Sequence, residues 1–287
     1  MELRGLGAVT PGGTDPERLP MIIRAGYTIS YLCASPTPMI LMLNVRPELR
    51  DRLRAPQSMT TDCGVPIHEY RDVYGNACSR LLAPAGPITI SADFTIEVSD
   101  EPDPDFRDLV QHPVEDLPDD VLVYLLGSRY VDMSKLTQFA WDQFGYTPEG
   151  GRRVQAILDY VHGHIEFNYA HASVERTAHG GHQEQRGVCR DFAHLVLALC
   201  RCMNIPARYC TGYLGDIRVA PIDAVMDFSA WTEVYLEGRW RTCDARHNTP
   251  RLGRILQGWG RDATDVAITT TFGWADLVQF EVIAEEV

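Results

Sequence analysis

A cysteine at the start of a predicted helix is the residue in this sequence best suited to nucleophilic chemistry. The residues after Cys189 include apolar side chains at intervals of three and four, a spacing that predicts a helix with one face in the protein core. These apolar residues are Phe192, Val196, Leu199, Cys200 and Met203. The free N–H groups and the dipole at a helix N-terminus favour a thiolate over a thiol, and the thiolate is the form that attacks a carbonyl carbon. Cys189 is therefore the predicted nucleophile.

Three histidines lie in the polar segment between residues 169 and 186, which is predicted to be a loop. His179 and His182 are expected to be solvated there, as polar loop residues commonly are. His171 differs, because it follows the aromatic sequence IEFNYA, which could hold its imidazole near the start of the Cys189 helix. His194 lies more than one helical turn beyond Cys189 and is expected to be a satisfied core histidine.

The sequence predicts no metal site and no cofactor. Cys200 and Cys202 form a C-x-C pair but point to different faces of the helix, which favours packing over metal ligation. His162 and His164 are two residues apart on a second predicted helix, so they cannot share a face as metal ligands at i and i+4 do. The cysteines other than Cys189 are scattered and are expected to be free thiols: Cys33, Cys63, Cys78, Cys200, Cys202, Cys210 and Cys243.

Composition and charge limit the classes of partner. The 287 residues suffice for one large domain or two ordinary ones, and the formal charge of −13 argues against nucleic acid or an anionic membrane surface. A peptide or a small amide is the expected partner. Charge, glycine and proline interrupt residues 1–20 before an apolar run can form, so we expect neither a signal peptide nor a membrane anchor, and we expect a cytoplasmic protein.

Hydrophobic patterns and breaks divide the chain into two predicted domains. An acidic, proline-broken stretch separates a part rich in strand formers from a part that alternates helices and strands. The predicted units are an N-terminal arm (1–20), a β domain (21–100), a linker (101–118) and a catalytic domain (119–287).

The elements within each domain follow from periodicity and turn residues. In the β domain we predict strands at 22–32, 38–45 and 88–98, with a turn at Gly75-Asn76 between two further short strands. The catalytic domain is predicted to begin with a helix that Ser134 caps and Gly145 closes. A second helix at 151–167 and the Cys189 helix follow, and then strands at 207–214, 229–236, 239–244, 266–272 and 277–284 complete an antiparallel sheet.

Four motifs resemble the transglutaminase-like cysteine enzyme superfamily, and they span about residues 150–273. They occur in the order GVCRDFAH, NIPARYCTGYL, SAWTEVYLEGRW and CDARHN. The N-terminal part, with YRDVYGN inside it, is similar to the β domain that precedes the catalytic domain in bacterial members. The resemblance implies an α+β fold in which an N-terminal β-sandwich-like domain precedes a papain/transglutaminase-like core of helices packed on an antiparallel sheet.

The resemblance also implies roles for particular residues. In that family a cysteine attacks an acyl carbonyl, a histidine moves the proton and a carboxylate orients the histidine. Cys189 matches the nucleophile and Asp244 matches the carboxylate. The histidine normally stands just before Ala-Trp, and in this sequence Ser229 occupies that position.

A serine cannot accept a proton near pH 7 as an imidazole does, and three explanations compete for this departure. In the first, another imidazole enters the site, either His247, three residues past Asp244, or His171. In the second, Ser229 and the helix dipole tune a thiolate whose chemistry differs from that of the parent family. In the third, the protein keeps the fold and binds a ligand without catalysis.

A group of arginines in an otherwise acidic chain offers a second functional interpretation. Arg246, Arg251, Arg254 and Arg261 are either scattered surface charge or a site for a substrate carboxylate. With these residues the sequence predicts a cysteine-dependent hydrolase or acyltransferase that cleaves an amide, peptide or thioester bond through a thioester on Cys189. Hydrolysis is favoured over transfer, and the alternative is a catalytically impaired or inactive scaffold protein.

Overall fold

The N-terminal part of the chain forms two antiparallel sheets that enclose one hydrophobic core. The computed structural model of the protein describes residues 20–221 and 226–287, so the predicted arm at 1–20 lies almost entirely outside the described residues. The strands of this part are β1 (Met21–Cys33), β2 (Thr37–Leu41), β3 (Thr60–Thr61), β4 (His68–Arg71), β5 (Ala77–Ala83) and β6 (Gly86–Val98).

Alternating side chains explain why these sheets pack face to face. In β6 every second residue from Ile88 to Val98 is buried, while the residues that alternate with them are more exposed. Residues of β1 and β6 from one sheet and of β2 and β5 from the other belong to the same core. The predicted β-sandwich-like arrangement is therefore present, and Gly75, at φ +77°, makes the predicted turn between β4 and β5.

In the described residues, four α-helices and a third antiparallel sheet form most of the rest of the molecule. The helices are α1 (Thr137–Phe144), α2 (Gly151–His164), α3 (Ala178–Glu184) and α4 (Cys189–Cys202). The strands are β7 (Glu166–Phe167), β8 (Arg186–Gly187), β9 (Ala207–Tyr213), β10 (Ser229–Leu236), β11 (Arg239–Cys243), β12 (Ile255–Gly260), β13 (Thr269–Thr271) and β14 (Ala275–Glu286). The central sheet has the order β11-β10-β9-β12, and α4 packs against β9 and β10. The predicted α+β class is confirmed.

The sequence predicts that the C-terminal strands complete the central sheet, but the structure places them elsewhere. Instead β14 pairs with β1 along its whole length, with Ala25 opposite Ala284, and β13 pairs with β2. Alternation shows which face of a strand is buried but not which strand lies beside it, and this is why the partner was missed. The division of the chain at residues 101–118 stays a prediction, but the two N-terminal sheets contain strands from both ends of the chain.

Helix α4 is buried on all sides rather than along one face. Every residue from Asp191 to Cys202 is buried, including His194 and Arg201. The other helices, the central sheet and a short 3₁₀ segment surround it. The other helix predictions need smaller corrections: α2 ends at His164, and α1 begins at Thr137 with no side-chain cap from Ser134. Within the described ranges, no helix is long and apolar enough to cross a membrane.

A stack of aromatic rings and guanidinium groups joins the N-terminal part to the central sheet. The Cζ atoms of Arg46 and Arg208 lie 3.3 and 3.5 Å from the ring centroid of Trp259, a separation that requires them to approach opposite faces of the ring. Asn76, in the YRDVYGN segment, donates to the Trp259 carbonyl at 2.9 Å and accepts from its N–H at 3.0 Å. The turn motif of the β domain is thus bonded directly to β12.

Candidate active site

The first turn of α4 is shaped by a glycine and an aspartate. The backbone N–H of Val188 donates to Asp191 Oδ2 at 2.8 Å, so the carboxylate caps the start of the helix. A Cβ atom on Gly187 would lie 2.5 Å from the same oxygen, so only glycine lets the aspartate fold back this closely. The sequence GVCRD therefore sets the position of Cys189 at the helix start.

A buried ion pair holds this helix start in place. Arg176 Nη1 donates to Asp191 Oδ2 at 3.1 Å, and both side chains are almost completely buried. Arg176 also donates to the His171 carbonyl at 2.7 Å and to Glu184 on α3. The segment before α4, which was predicted to be only a loop, is therefore tied to the helix that carries Cys189.

Cys189 is a half-buried free thiol beside β10. Burial raises the pKa of the Cys189 thiol to about 11, because it outweighs the opposing positive charge of Arg246 and the backbone of Ala230, while Asp227 and Asp244 add to the rise. About one thiol in 10⁴ is then ionised at pH 7. The prediction that the helix start favours a thiolate is therefore not met in the free protein, where burial is the largest effect.

Ser229 lies at the first position of β10, next to Ala230, whose backbone faces the Cys189 sulfur. It is buried, and Thr232 pairs with Cys243 in the adjacent ladder. Continuing this register by one residue places Asp244 opposite Trp231, which puts Asp244 and Ser229 on the same side of the sheet. A side chain longer than serine at this position would therefore extend on the side of the sheet that carries Asp244.

The Asp244 carboxylate is surrounded by donors. Its Oδ2 atom accepts from His247 Nδ1 at 2.9 Å and from Arg254 Nη2 at 3.0 Å, and Oδ1 accepts from the backbone N–H of Arg246 at 3.0 Å. Burial opposes ionisation, but Arg254 and His247 outweigh it and hold the pKa of Asp244 well below its usual range. Asp244 is therefore a carboxylate at all ordinary pH values, with His247 and Arg254 as its partners.

The structure brings the predicted histidines to different places. His247 forms a dyad with Asp244 through Nδ1, and its Nε2 atom is neither hydrogen-bonded within the described chain nor buried. No hydrogen bond joins the imidazole of His171 to Cys189 or Asp244 among the described residues, and its buried Nδ1 has no partner there. Across residues 20–221 and 226–287, no hydrogen bond joins the Cys189 sulfur to an imidazole.

The remaining histidines have structural surroundings. His194 is fully buried, accepts from the backbone N–H of Ala263 at 3.2 Å and stacks on Tyr130, and burial lowers its pKa to about 3. It is a neutral core histidine, but its Nδ1 has no hydrogen-bond partner among the described residues, so the prediction of a satisfied histidine holds only for its burial. His182 was predicted to be solvated, but it lies on α3 and its Nδ1 atom is 3.1 Å from Tyr160 Oη. Within the described residues, no group of three or more candidate ligands is arranged to hold a metal ion.

The arginine group divides into paired and unpaired members. Arg254 bridges Asp244 and Asp103, Arg261 pairs with Asp265, and Arg251 donates to the Gly215 carbonyl. Arg246 differs, because its guanidinium carbon lies 4.0 Å from the ring centroid of Phe167. The four arginines therefore have separate partners, and Arg246 and Arg254 are the members near Cys189 and Asp244.

One residue beside the site, Asp103, was not singled out from the sequence. Asp103 comes from the segment predicted to be a linker, and its carboxylate accepts from Arg254 Nε at 3.0 and 3.1 Å. A contact across about 150 residues of chain leaves no local pattern. Arg254, one of the four arginines named from the sequence, follows Gly253, which adopts φ +78°.

Alkylation of Cys189 by iodoacetamide is expected to be slow at neutral pH and to accelerate about tenfold per pH unit until the pH approaches 11, because only the thiolate reacts. Peptide mass spectrometry across pH 6 to 11 measures the rate at Cys189 separately from the rates at the other cysteines. Exposed Cys63, in the same sample, is the internal reference for the reagent. A plateau for Cys189 below pH 9 would contradict the dominance of burial.

Comparisons with known proteins agree with this architecture. The model of the transglutaminase-like superfamily matches residues 139–245. An uncharacterized protein of Mycobacterium leprae is 26% identical over 208 residues, which are 70% of this chain and 74% of that protein. The crystal structure of a candidate cysteine protease from Cytophaga hutchinsonii is similar at a TM-score of 0.83 and 29% identity, over 94% of this chain and 92% of the other.

A third likeness is more distant. The periplasmic domain of TgpA from Pseudomonas aeruginosa matches at a TM-score of 0.39 and 11% identity, over 81% of this chain and 92% of that domain. The segment matched by the superfamily contains α4 with Cys189, β10 with Ser229, and Asp244 after β11. Residues 139–245 of this chain are a transglutaminase-like superfamily domain, within a fold shared with a candidate cysteine protease.

Proposed function

We propose that this protein is a cysteine-dependent acyl hydrolase that cleaves peptide or related amide and thioester bonds through Cys189. The observation that carries the proposal is the placement of Cys189, half-buried at the start of α4 beside Ser229 and Ala230, with the Asp244–His247 dyad just after the neighbouring strand. The similarity to the candidate cysteine protease of Cytophaga hutchinsonii supports a peptide substrate.

The proposed reaction has two steps. The Cys189 sulfur attacks the carbonyl carbon, a C–S bond forms, and the C–N bond of an amide breaks as the amine leaves with a proton. Water then attacks the thioester, which releases the acid and returns the thiol. Hydrolysis is proposed over transfer because a transferase must exclude water and admit an amine as second substrate.

Proton transfer is assigned to His247. Since the free thiol stays protonated near pH 7, its proton must be removed as the sulfur attacks. His247 is bonded to Asp244 through Nδ1, which leaves Nε2 as the basic nitrogen, the same orientation that a carboxylate gives a catalytic imidazole. Catalytic hydrogen bonds are often long before substrate binds, so the missing contact to sulfur is compatible with this role.

His247→Ala is expected to lower kcat/KM about 10²-fold, because general-base help of this kind is worth about two to four powers of ten. The substrate is a peptide thioester, whose hydrolysis is followed by release of the thiol. His171→Ala is the matched control and is expected to retain activity within about twofold, since no hydrogen bond joins its imidazole to Cys189 or Asp244 in the described residues. Equal activity of wild type and His247→Ala would remove His247 from the mechanism.

A second candidate function is ligand binding without catalysis. It is favoured by Ser229 at the imidazole position, by the saturated Asp244 carboxylate and by a cavity of about 380 Å³ beside that carboxylate. Such a volume accommodates a small molecule. The segment around Asp103 and helix α2 line the cavity.

Cys189→Ala separates the two functions. If the hydrolase proposal is right, peptide thioesters and activated amides turn over with wild type and not with Cys189→Ala between pH 7 and 10. If wild type is no faster than Cys189→Ala at any pH in this range, the binding function replaces the hydrolase.

A further inference from the structure

Arg246 follows β11 in the chain, and its side chain lies close in space to the start of α4, where Cys189 is located. Its guanidinium carbon is 4.0 Å from the centroid of Phe167, whose backbone pairs with Gly187 and whose ring is 6.3 Å from that of Phe192. Gly187 and Phe192 lie on either side of Cys189 in the chain. The backbone N–H of Arg246 donates to Asp244 at 3.0 Å, so the residue is held at both its backbone and its side chain.

The guanidinium of Arg246 has no carboxylate partner at ion-pair distance among the residues that the structure describes. The neighbouring buried arginines differ in this respect, since Arg176 pairs with Asp191 and Arg254 pairs with Asp244 and Asp103. The titratable groups that face Arg246 are Cys189, Asp227 and Tyr169. Arg246 is only partly buried, and its charge acts on the Cys189 sulfur.

We propose that Arg246 binds a carboxylate of the acyl substrate, so that the preferred substrates carry a negative charge close to the carbonyl that Cys189 attacks. A guanidinium presents a rigid fork of N–H donors that matches a carboxylate, and stacking on Phe167 fixes the plane of that fork. The inference rests on the proposed function only in taking Cys189 as the residue that is acylated.

Stabilisation of a thiolate is the competing role for the same cation. In the free protein, burial outweighs Arg246 and raises the pKa of Cys189 to about 11. Arg246 alone therefore does not ionise the sulfur at neutral pH. A bound carboxylate would be attracted to the same charge. The two roles differ in what they predict for charged and neutral reagents that attack the same sulfur.

Iodoacetate and iodoacetamide are the probes that separate these roles. Both form the same C–S bond with loss of iodide, and they differ only in carrying a carboxylate or an amide. We expect Arg246→Gln to slow the reaction of Cys189 with iodoacetate about 10-fold to 100-fold, the value of a charge-assisted pair, and to change the iodoacetamide rate much less. The iodoacetate rate of Arg246→Lys should lie between those of wild type and Arg246→Gln, because lysine keeps the charge and lacks the fork of N–H donors.

Arg24→Gln is the matched control for net charge. Arg24 is exposed on the N-terminal sheet and pairs with Asp93 and Glu285, so both reagents should react with this variant at wild-type rates. If Arg246→Gln slows the reactions with both reagents equally, the cation stabilises the thiolate and the proposal is overturned. Unchanged rates with both would overturn it as well.

Protection of Cys189 from iodoacetamide distinguishes the sources of the carboxylate. N-acetylglycylglycine carries a terminal carboxylate, while N-acetylglutamylglycinamide carries one only on its side chain. Each is compared with its uncharged amide, and at least one acid should protect more than its amide in wild type and lose that advantage in Arg246→Gln. Equal protection by acids and amides would overturn the proposal. None of these measurements requires turnover, so failure of the hydrolase function remains a separate result.

Discussion

Ser229→His is expected to raise the rate of Cys189 alkylation at pH 7 about 10²-fold and to increase kcat/KM for peptide amides. An imidazole next to the sulfur forms a thiolate–imidazolium pair, which lowers a cysteine pKa to about 7 or less. Starting from a pKa of about 11, the ionised fraction rises by about 10⁴. The intrinsic nucleophilicity of the thiolate falls by about 10² over the same change, and the net gain is therefore about 10².

The geometry of the sheet supports this gain. Ser229 lies on the same side of β10 as Trp231, the residue opposite Asp244 when the register is continued. Residues that are diagonal neighbours on two paired strands lie within reach of a long side chain. The new imidazole would stand between the sulfur and a carboxylate that is ionised at all ordinary pH values. His247 now occupies Asp244 Oδ2 together with Arg254, so the two imidazoles would compete for that oxygen.

This competition makes the double variant informative. In wild type, His247→Ala should lower turnover, whereas in the Ser229→His background the same change should cost little, because the imidazole at position 229 takes over the carboxylate. Ser229→Asn is the control for side-chain size without a base and should show no gain in either assay. If Ser229→His folds, as circular dichroism would show, and alkylates no faster than Ser229→Asn, a missing imidazole is not what limits Cys189.

Local signals predicted the parts of the site that are continuous in the chain. Helix α4 begins at Cys189 as its periodicity indicated, and β10 and β11, close to the predicted strands at 229–236 and 239–244, form a hairpin through Glu237-Gly238, where both residues have positive φ. These elements carry Cys189, Ser229 and Asp244, and this is why the motif order alone identified the family. Turn chemistry and hydrophobic spacing act over few residues, so they are readable without a structure.

Long-range partners were not predictable in the same way. Strand β12 contains two glycines and pairs with β9 through a bulge, a combination that weakens any strand signal in its sequence. Helix α3 spans only seven residues and contains adjacent glycines, and for these reasons the sequence predicts a loop there. The bridge from Asp103 through Arg254 to Asp244 depends on the folded arrangement of three separate segments.

Buried polar residues on α4 are the largest departure from the sequence-based expectation. An amphipathic pattern predicts that charged residues face solvent, but Asp191 and Arg201 are buried on this helix and are balanced by specific partners. Arg201 donates to the carbonyls of Ala207, Leu126 and Arg261. One guanidinium thereby satisfies the backbone of three segments that meet behind the site, a role no sequence pattern encodes.

Arg201→Met is therefore expected to lower the free energy of unfolding by about 3 kcal/mol, the second large effect that the structure predicts. Methionine has a similar length, so the cost comes mainly from buried carbonyls left without donors, at about 1 to 3 kcal/mol each, offset by the relief of burying a charge. Urea unfolding followed by fluorescence measures the change. Arg152→Met on α2 is the matched control: its side chain is 65% exposed, its partner Asp108 is exposed as well, and the substitution should cost less than about 0.5 kcal/mol. Equal losses for the two variants would show that the carbonyls around Arg201 find water when the guanidinium is removed, and that α4 is less completely enclosed than its contacts indicate.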